Sequence, residues 1–329
     1  MVEHQDDQPR PLAAAVREGD RRALARAITL VESTRPDHRA EADEVLTALL
    51  PETGRSIRIG VSGAPGAGKS TFIEAFGRHV VARGHRLAVL AVDPSSARTG
   101  GSILADKTRM TELARRPDVF IRPSPGGAHL GGVARRTREA LLLCEAAGFD
   151  VIVVETIGVG QSEVAVADMV DLFCLVVAPG GGDDLQGIKR GIMELADLVV
   201  VNKCDGDLAA AAQRAQADYA NALHLLRPRW QSWSARVLAC SALEDAGVDE
   251  VWQATEAFRA AVGDEAIAAA RSRQAVAWLW SEVQDTLLEG LREDPAVAAR
   301  VGPLEAEVAA GTRTPTAAAR ELLELFRPR

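Results

Sequence analysis

The stretch Gly63-Ala64-Pro65-Gly66-Ala67-Gly68-Lys69-Ser70 satisfies the pattern G-x-x-x-x-G-K-[ST] in full. It follows the β-branched run Ile57 to Ser62 and precedes a helix-like stretch from Thr71 to Val81, the strand, loop and helix context that this pattern requires. The glycines let the loop turn so that successive backbone N–H groups converge on phosphate oxygens, where side chains would obstruct the approach. The following helix adds its positive N-terminal end. Lys69 is placed to reach β- and γ-phosphates, and the Ser70 hydroxyl suits Mg2+, a hard cation that prefers oxygen.

The rest of the chain fits a phosphate loop of this kind. Short apolar runs at Ile57–Ser62, Arg86–Val92, Val119–Arg122, Val151–Glu155, Leu172–Ala178, Leu198–Val201 and Val237–Cys240 alternate with helix-length segments, which predicts a mostly parallel α/β sheet. Residues 1–52 read as a helical extension, with Leu24, Ala27, Ile28 and Val31 on one stripe and Val45, Leu46 and Leu49 on another before Pro51. Residues 53–260 read as the nucleotide-binding domain. Beyond them the strands cease, and Val276, Trp280, Val283, Leu287 and Leu291 make an amphipathic helix within 261–329. Gly302-Pro303 is expected to break that helix, and Thr314-Pro315 to start a last one ending near Phe326.

Charge narrows the partners. With 38 basic and 46 acidic residues the formal net charge is −8, so there is no basic footprint for nucleic acid or an anionic membrane surface. The first eleven residues are polar and acidic, and no apolar run approaches the ~18 to 20 residues of a membrane span. A cytoplasmic protein is expected, with Cys144, Cys174, Cys204 and Cys240 as reduced thiols, since none forms a Cys-x-x-Cys pair.

Asn202-Lys203-Cys204-Asp205 follows the run Leu198–Val201. An aspartate there can accept from the N1–H and 2-amino groups of guanine, donors that adenine lacks, and an analogue that leaves such a site unpaired is rejected by a factor on the order of 10⁴. Ser241-Ala242-Leu243, after the next strand, resembles the Ser-Ala-x loop that backs the base in GTPases. The nucleotide is therefore read as GTP or GDP. Val151 to Glu155 followed by Thr156-Ile157-Gly158 fits a strand that ends in a carboxylate and a loop that senses the γ-phosphate through the Gly158 N–H. The acid is Glu155 where Asp is commoner, and Val159 stands where Ras-like GTPases carry the glutamine that orients water. Unassisted hydrolysis is expected to be slow. Asp93, in Asp93-Pro94-Ser95-Ser96, offers a further carboxylate for the Mg2+ side.

Longer stretches, Leu87 to Ser96, Thr99 to Met110, Phe120 to Pro125, Glu155 to Glu163 and Gly187 to Gly191, closely resemble the MeaB/MMAA/ArgK family of G3E P-loop GTPases, chaperones of adenosylcobalamin-dependent acyl-CoA mutases. The resemblance covers roughly residues 11 to 300. It implies that Gly63, Ala64, Pro65, Gly66, Ala67, Gly68, Lys69, Ser70 and Thr71 form the P-loop, that Asp93, Asp106 and Glu155 are Mg2+-linked acids, and that Asn202, Lys203 and Asp205 select guanine. It further implies a switch III from Pro179 to Lys189, in which Asp183, Gln186 and Lys189 communicate with the mutase, and a homodimer formed through C-terminal helices. Ala97, Ala105 and Asp184 depart from the family's usual residues. Two alternatives remain at this point, a GTP-dependent kinase of a transport protein and a metal-insertion GTPase. The second would be expected to carry clustered Cys or His, whereas the six histidines here are scattered.

Overall fold

The computed structural model describes residues 11–92, 110–123, 130–156, 162–179 and 190–326. In chain order the elements are α1 (Leu12–Arg17), α2 (Arg21–Glu32), α3 (Pro36–Leu49), β1 (Ile57–Ser62), α4 (Lys69–Ala82), β2 (Leu87–Val92), β3 (Val119–Arg122), α5 (Leu130–Ala146), β4 (Val151–Thr156), α6 (Ser162–Ala167) and β5 (Leu172–Val177). They continue with α7 (Arg190–Met193), β6 (Leu198–Val201), α8 (Ala209–His224), β7 (Arg236–Ala239), α9 (Val248–Val262), α10 (Asp264–Glu293), α11 (Pro295–Ala309) and α12 (Pro315–Leu325).

The strands form one parallel sheet in the order β3-β2-β4-β1-β5-β6-β7. Its central strands are rich in Val and Leu and buried along their length, because parallel strands are covered by helices on both faces. Successive residues serve opposite faces. Val151 and Val153 pack with Phe72, Phe76, Trp252 and Phe258 of α4 and α9, while Ile152 and Val154 pack with Leu24, Ile28 and Phe149 on the other side. The N-terminal helices therefore cover a sheet face, through α5. Asp20 starts α2 by accepting the N–H groups of Arg22 and Ala23 at 2.7 and 3.1 Å, and Leu24 and Ile28 are then fully buried, each contributing about 1.5 to 3 kcal/mol.

The described residues up to Ser272 form one compact unit and those from Arg273 a second. In the second, the expected break at Gly302-Pro303 does not occur. The chain breaks at Asp294, whose carboxylate caps Ala296 and Val297 at 2.9 and 3.2 Å with Pro295 in the first turn, and α11 then runs through Pro303. Val297 and Leu304, each 1% exposed, bury residues on either side of Gly302-Pro303, and this packing overrides the local cost of proline. The Thr314 hydroxyl accepts from the Ala317 N–H at 3.3 Å and starts α12 as the Thr-Pro signature predicts.

Candidate nucleotide site

β1 lies at the centre of the sheet, between β4 and β5; the connection after it leads toward the β3 edge and the one after β5 toward the β7 edge, so the loop after β1 opens at the topological switch point where ligands of open α/β sheets bind. Two glycines show why the loop has its composition. At Gly63 (φ +151°) a Cβ would come within 2.0 Å of the Val176 carbonyl oxygen, and at Gly68 (φ +87°) within 2.6 Å of the Asn202 amide nitrogen. The loop is therefore seated directly on the ends of β5 and β6. Gly68 precedes the first residue of α4, and the Lys69 ammonium folds over the loop, donating to the Gly63 oxygen at 2.7 Å.

Ser70 and Glu155 come together, the serine hydroxyl donating to Glu155 Oε1 at 3.2 Å, with Glu155 3% exposed. Two hard oxygen donors thus stand side by side at the head of α4. Among the described residues no group of three His, Cys, Asp or Glu side chains could hold a metal by itself. The Ser70–Glu155 pair nevertheless fits Mg2+, which is characteristically held by one or two protein oxygens, its own waters and the substrate phosphates. Asp93, Asp106, Gly158, Asp183, Gln186 and Lys189 lie outside the described residues.

The base side is built around Asn202, which is 1% exposed. Its Nδ2 donates to the Ala67 oxygen at 3.0 Å in the phosphate loop, and its Oδ1 accepts from the Ala242 N–H at 3.1 Å. One amide thereby joins the loop after β1 to the loops after β6 and β7. Lys203 adopts a left-handed backbone (φ +64°), and Cys204 N–H then donates to the Cys240 oxygen at 3.1 Å, which brings Asp205 against the Ser241–Leu243 segment. The Ser241 hydroxyl donates to the Asp205 carboxylate and accepts from the Glu244 N–H at 3.1 Å. Leu243 is 80% exposed beside it. The free thiols are not activated: burial pushes Cys240 up to about 12, and raises Cys204, Cys174 and Cys144 as well.

One support was not read from the sequence. Asp245, with φ +60°, accepts from His79 Nε2 at 3.0 Å and lies 3.4 Å from Arg78 Nη2, tying the loop after β7 to the far end of α4. The local signal for it is the Asp245-Ala246-Gly247 turn, whose partner His79 is 166 residues away.

Known proteins resemble this chain over most of its length. Residues 24–296 match the family model described as methylmalonyl Co-A mutase-associated GTPase MeaB. The chain is 52% identical to the GTPase ArgK of Escherichia coli over 84% of each chain. It is 48% identical to the mouse mitochondrial methylmalonic aciduria type A homolog, covering 94% of this chain and 78% of that protein. A crystal structure of an LAO/AO transport system kinase superposes with a TM-score of 0.77 at 40% identity, covering 97% of this chain and 99% of that one.

Proposed function

This chain belongs to the methylmalonyl-CoA mutase-associated GTPase family, MeaB, and from that premise we propose that it is a GTP-hydrolysing chaperone gating the loading, protection or reactivation of adenosylcobalamin in a B12-dependent acyl-CoA mutase. The observation that carries the nucleotide part is the Asn202 bridge, which makes the phosphate loop and the Asp205 loop one rigid cradle. Gly63 to Thr71 form the phosphate cradle, in which every residue but Pro65 has a backbone N–H to donate, and Lys69 swings from the Gly63 oxygen onto the β- and γ-phosphates. Asp205, steadied by Ser241, accepts from the two guanine donors, Lys203 and Asn202 shape the loop, and Ala242 and Leu243 cover the base. Gly158 donates to the γ-phosphate. Ser70 and Glu155, with Asp93 and Asp106, would hold Mg2+, which when bound supplies charge neutralisation for the phosphoryl oxygens.

Hydrolysis is slow in this reading because Val159 cannot orient water. The mutase accelerates it by repositioning switch III, Asp183, Gln186 and Lys189, so that a charged group stabilises the transition state. Within the 1–52 segment α1 to α3 brace the sheet, 53–260 bind and hydrolyse GTP, and the 261–329 segment carries the homodimer contact. In this proposal the protein works in the cytoplasm; none of the described helices is long and apolar enough to cross a membrane. The partner is a protein and not nucleic acid, given the net charge of −8.

The test is GTP turnover with and without the cognate mutase, for wild type and Lys189→Ala, screening methylmalonyl-, isobutyryl-, ethylmalonyl- and 2-hydroxyisobutyryl-CoA mutases. Stimulation is expected with one of them, within the general range of about 10³ to 10⁵ or below it, and reduced in Lys189→Ala. Equal wild-type rates with every mutase would remove the coupling. Likeness to the LAO/AO transport system kinase, at 40% identity, favours a second reading, phosphorylation of a transport protein. Transfer of labelled γ-phosphate to protein rather than to water would establish that one.

A further inference from the structure

The sheet has a seam at its upper edge, beside the phosphate loop. β1 and β4 pair in register from Ile57↔Val151 to Val61↔Glu155, and there their backbone pairing ends. The next residue of β1, Ser62, is paired with Leu175 of β5, and the next residue of β4, Thr156, is paired with Val92 of β2. Above the Val61↔Glu155 pair the sheet thus divides into a half that leads from Ser62 into the phosphate loop and a half that leads from Glu155 into Thr156. The division falls at the topological switch point, where the site opens.

Across that seam the Thr156 hydroxyl donates to Ser62 Oγ at 2.8 Å, with Thr156 fully buried and Ser62 1% exposed. Ser62 is the residue immediately before Gly63, and Thr156 the residue immediately after Glu155. By the alternation of a strand, Ser62 shares its face with Gly60, against which Val166 and Phe173 pack. Glu155 and Thr156 serve opposite faces in the same way, so the hydroxyl pair stands behind the sheet while Glu155 meets Ser70 in front of it.

We propose that Thr156 and Ser62 are a positioning pair for GTP hydrolysis: their hydrogen bond closes the seam and fixes the Glu155 carboxylate against Ser70 and the phosphate loop. The pair rests on the roles proposed above for the loop and for Glu155. A requirement for stability alone would not call for hydroxyls, because replacing both partners of a buried hydrogen bond by apolar groups of similar shape is nearly neutral. A directional bond instead specifies distance. Distance matters for the chemical step, where a misplacement of about 1 Å can cost on the order of 10²-fold in rate. It matters much less for holding GDP, whose contacts lie on the phosphate-loop side of the seam.

The experiment uses the full-length chain, single-turnover GTP hydrolysis, GDP titration and thermal melting. Thr156→Val and the double variant Ser62→Ala/Thr156→Val are expected to hydrolyse GTP about tenfold more slowly. Their GDP affinity is expected to stay within about twofold, and the melting temperature of the double variant within about 3 °C of wild type. Thr156→Ser, which keeps the hydroxyl, should recover the rate. The proposal is overturned if the double variant hydrolyses at the wild-type rate, or if rate, GDP affinity and melting temperature all fall together, the mark of a merely structural pair. Lys69→Ala separates this outcome from a failure of the parent reading: hydrolysis undiminished in that variant would remove the phosphate-loop assignment, whereas its loss alongside an unchanged Thr156→Val rate removes only the pair.

Discussion

Asp205 owes its selectivity to contacts as much as to its own carboxylate, since the Ser241 hydroxyl donates to it and Cys204 is hydrogen-bonded to the β7 edge just before it. Replacing Asp205 by Asn keeps the shape and converts one acceptor into a donor, which opposes the guanine N1–H and suits the extra carbonyl of xanthine. Competition titration of Asp205→Asn should show GTP affinity lowered about 10²-fold or more and xanthosine triphosphate bound in its place; undiminished GTP binding would refute the assignment. Gly68→Ala is expected to impair nucleotide binding by a different route, because its Cβ would displace the Asn202 amide that joins the two loops. The phosphate loop and Asn202-Lys203-Cys204-Asp205 were legible in the sequence because each is a run of adjacent residues with a fixed chemistry. The Asn202 bridge was not, for it depends on residues 135 and 40 positions away meeting at one sheet edge.

The sheet is anchored at the opposite end by two buried ion pairs. Glu145 takes Arg58 at 2.8 Å, the Ser56 hydroxyl at 2.5 Å and the Gly54 N–H at 2.9 Å, while Asp171 takes Arg271 through both oxygens at 2.8 and 2.5 Å. Arg271 also donates to the oxygens of Gly54 and Ser56, at 2.7 and 2.6 Å, so the first turns of α10 are held to the base of β1. Removing one member strands a buried charge. Arg271→Ala should cost about 3 to 5 kcal/mol, read as a melting temperature lowered by about 10 °C, and an unchanged melting curve would contradict it. The carboxylates here differ in their response to pH. Burial would raise Glu145, but Arg58, Ser56 and Gly54 outweigh it and hold its carboxyl below the usual 4.5, so its contribution is present above that value and lost as pH falls through the lowered one. Asp197 is pushed the other way, from 3.8 to about 6, by burial that Arg229 only partly offsets. Its folded form binds more protons between those values, so its contribution to stability grows as pH falls from about 7 to 4. In urea unfolding over that range, wild type should gain on Asp197→Asn as the pH is lowered; a constant difference would exclude the linkage. At this scale the strands were easily read, as short Val- and Leu-rich runs between turns. The helices were read less well. α1 buries Val16 alone, too little for a stripe, and Asp294-Pro295 carried the same cap-and-proline signature as Thr314-Pro315 but was overshadowed by Gly302-Pro303.

In the molecule as a whole, apolar surface is distributed unevenly. The unit from Arg273 onward buries Val297, Leu304 and Ala318, while Val276, Leu279, Trp280, Leu287 and Leu288 of α10 remain between 52% and 61% exposed. Its α11 and α12 are joined at the surface by Arg300, Arg313, Glu307 and Glu321, solvent-screened pairs that align helices without supplying a core. Soluble monomers rarely display a contiguous apolar patch of this kind. The residues Val276, Trp280, Val283 and Leu287 recur at steps of four, three and four, the spacing at which one helix packs along another. A second copy of the chain offers the same stripe, and a twofold axis lets each cover the other. Light scattering at micromolar concentration should therefore give about twice the chain mass of 34.9 kDa. Trp280→Asp puts a charge at the centre of the stripe, and loss of a buried aromatic anchor commonly costs about 2 kcal/mol or more of association energy. The variant is expected to scatter as a monomer while binding GDP as wild type does, because the phosphate loop and the Asp205 loop lie wholly within the first unit. A monomeric wild type, or a Trp280→Asp variant that stays dimeric, would remove this stripe as the dimer contact.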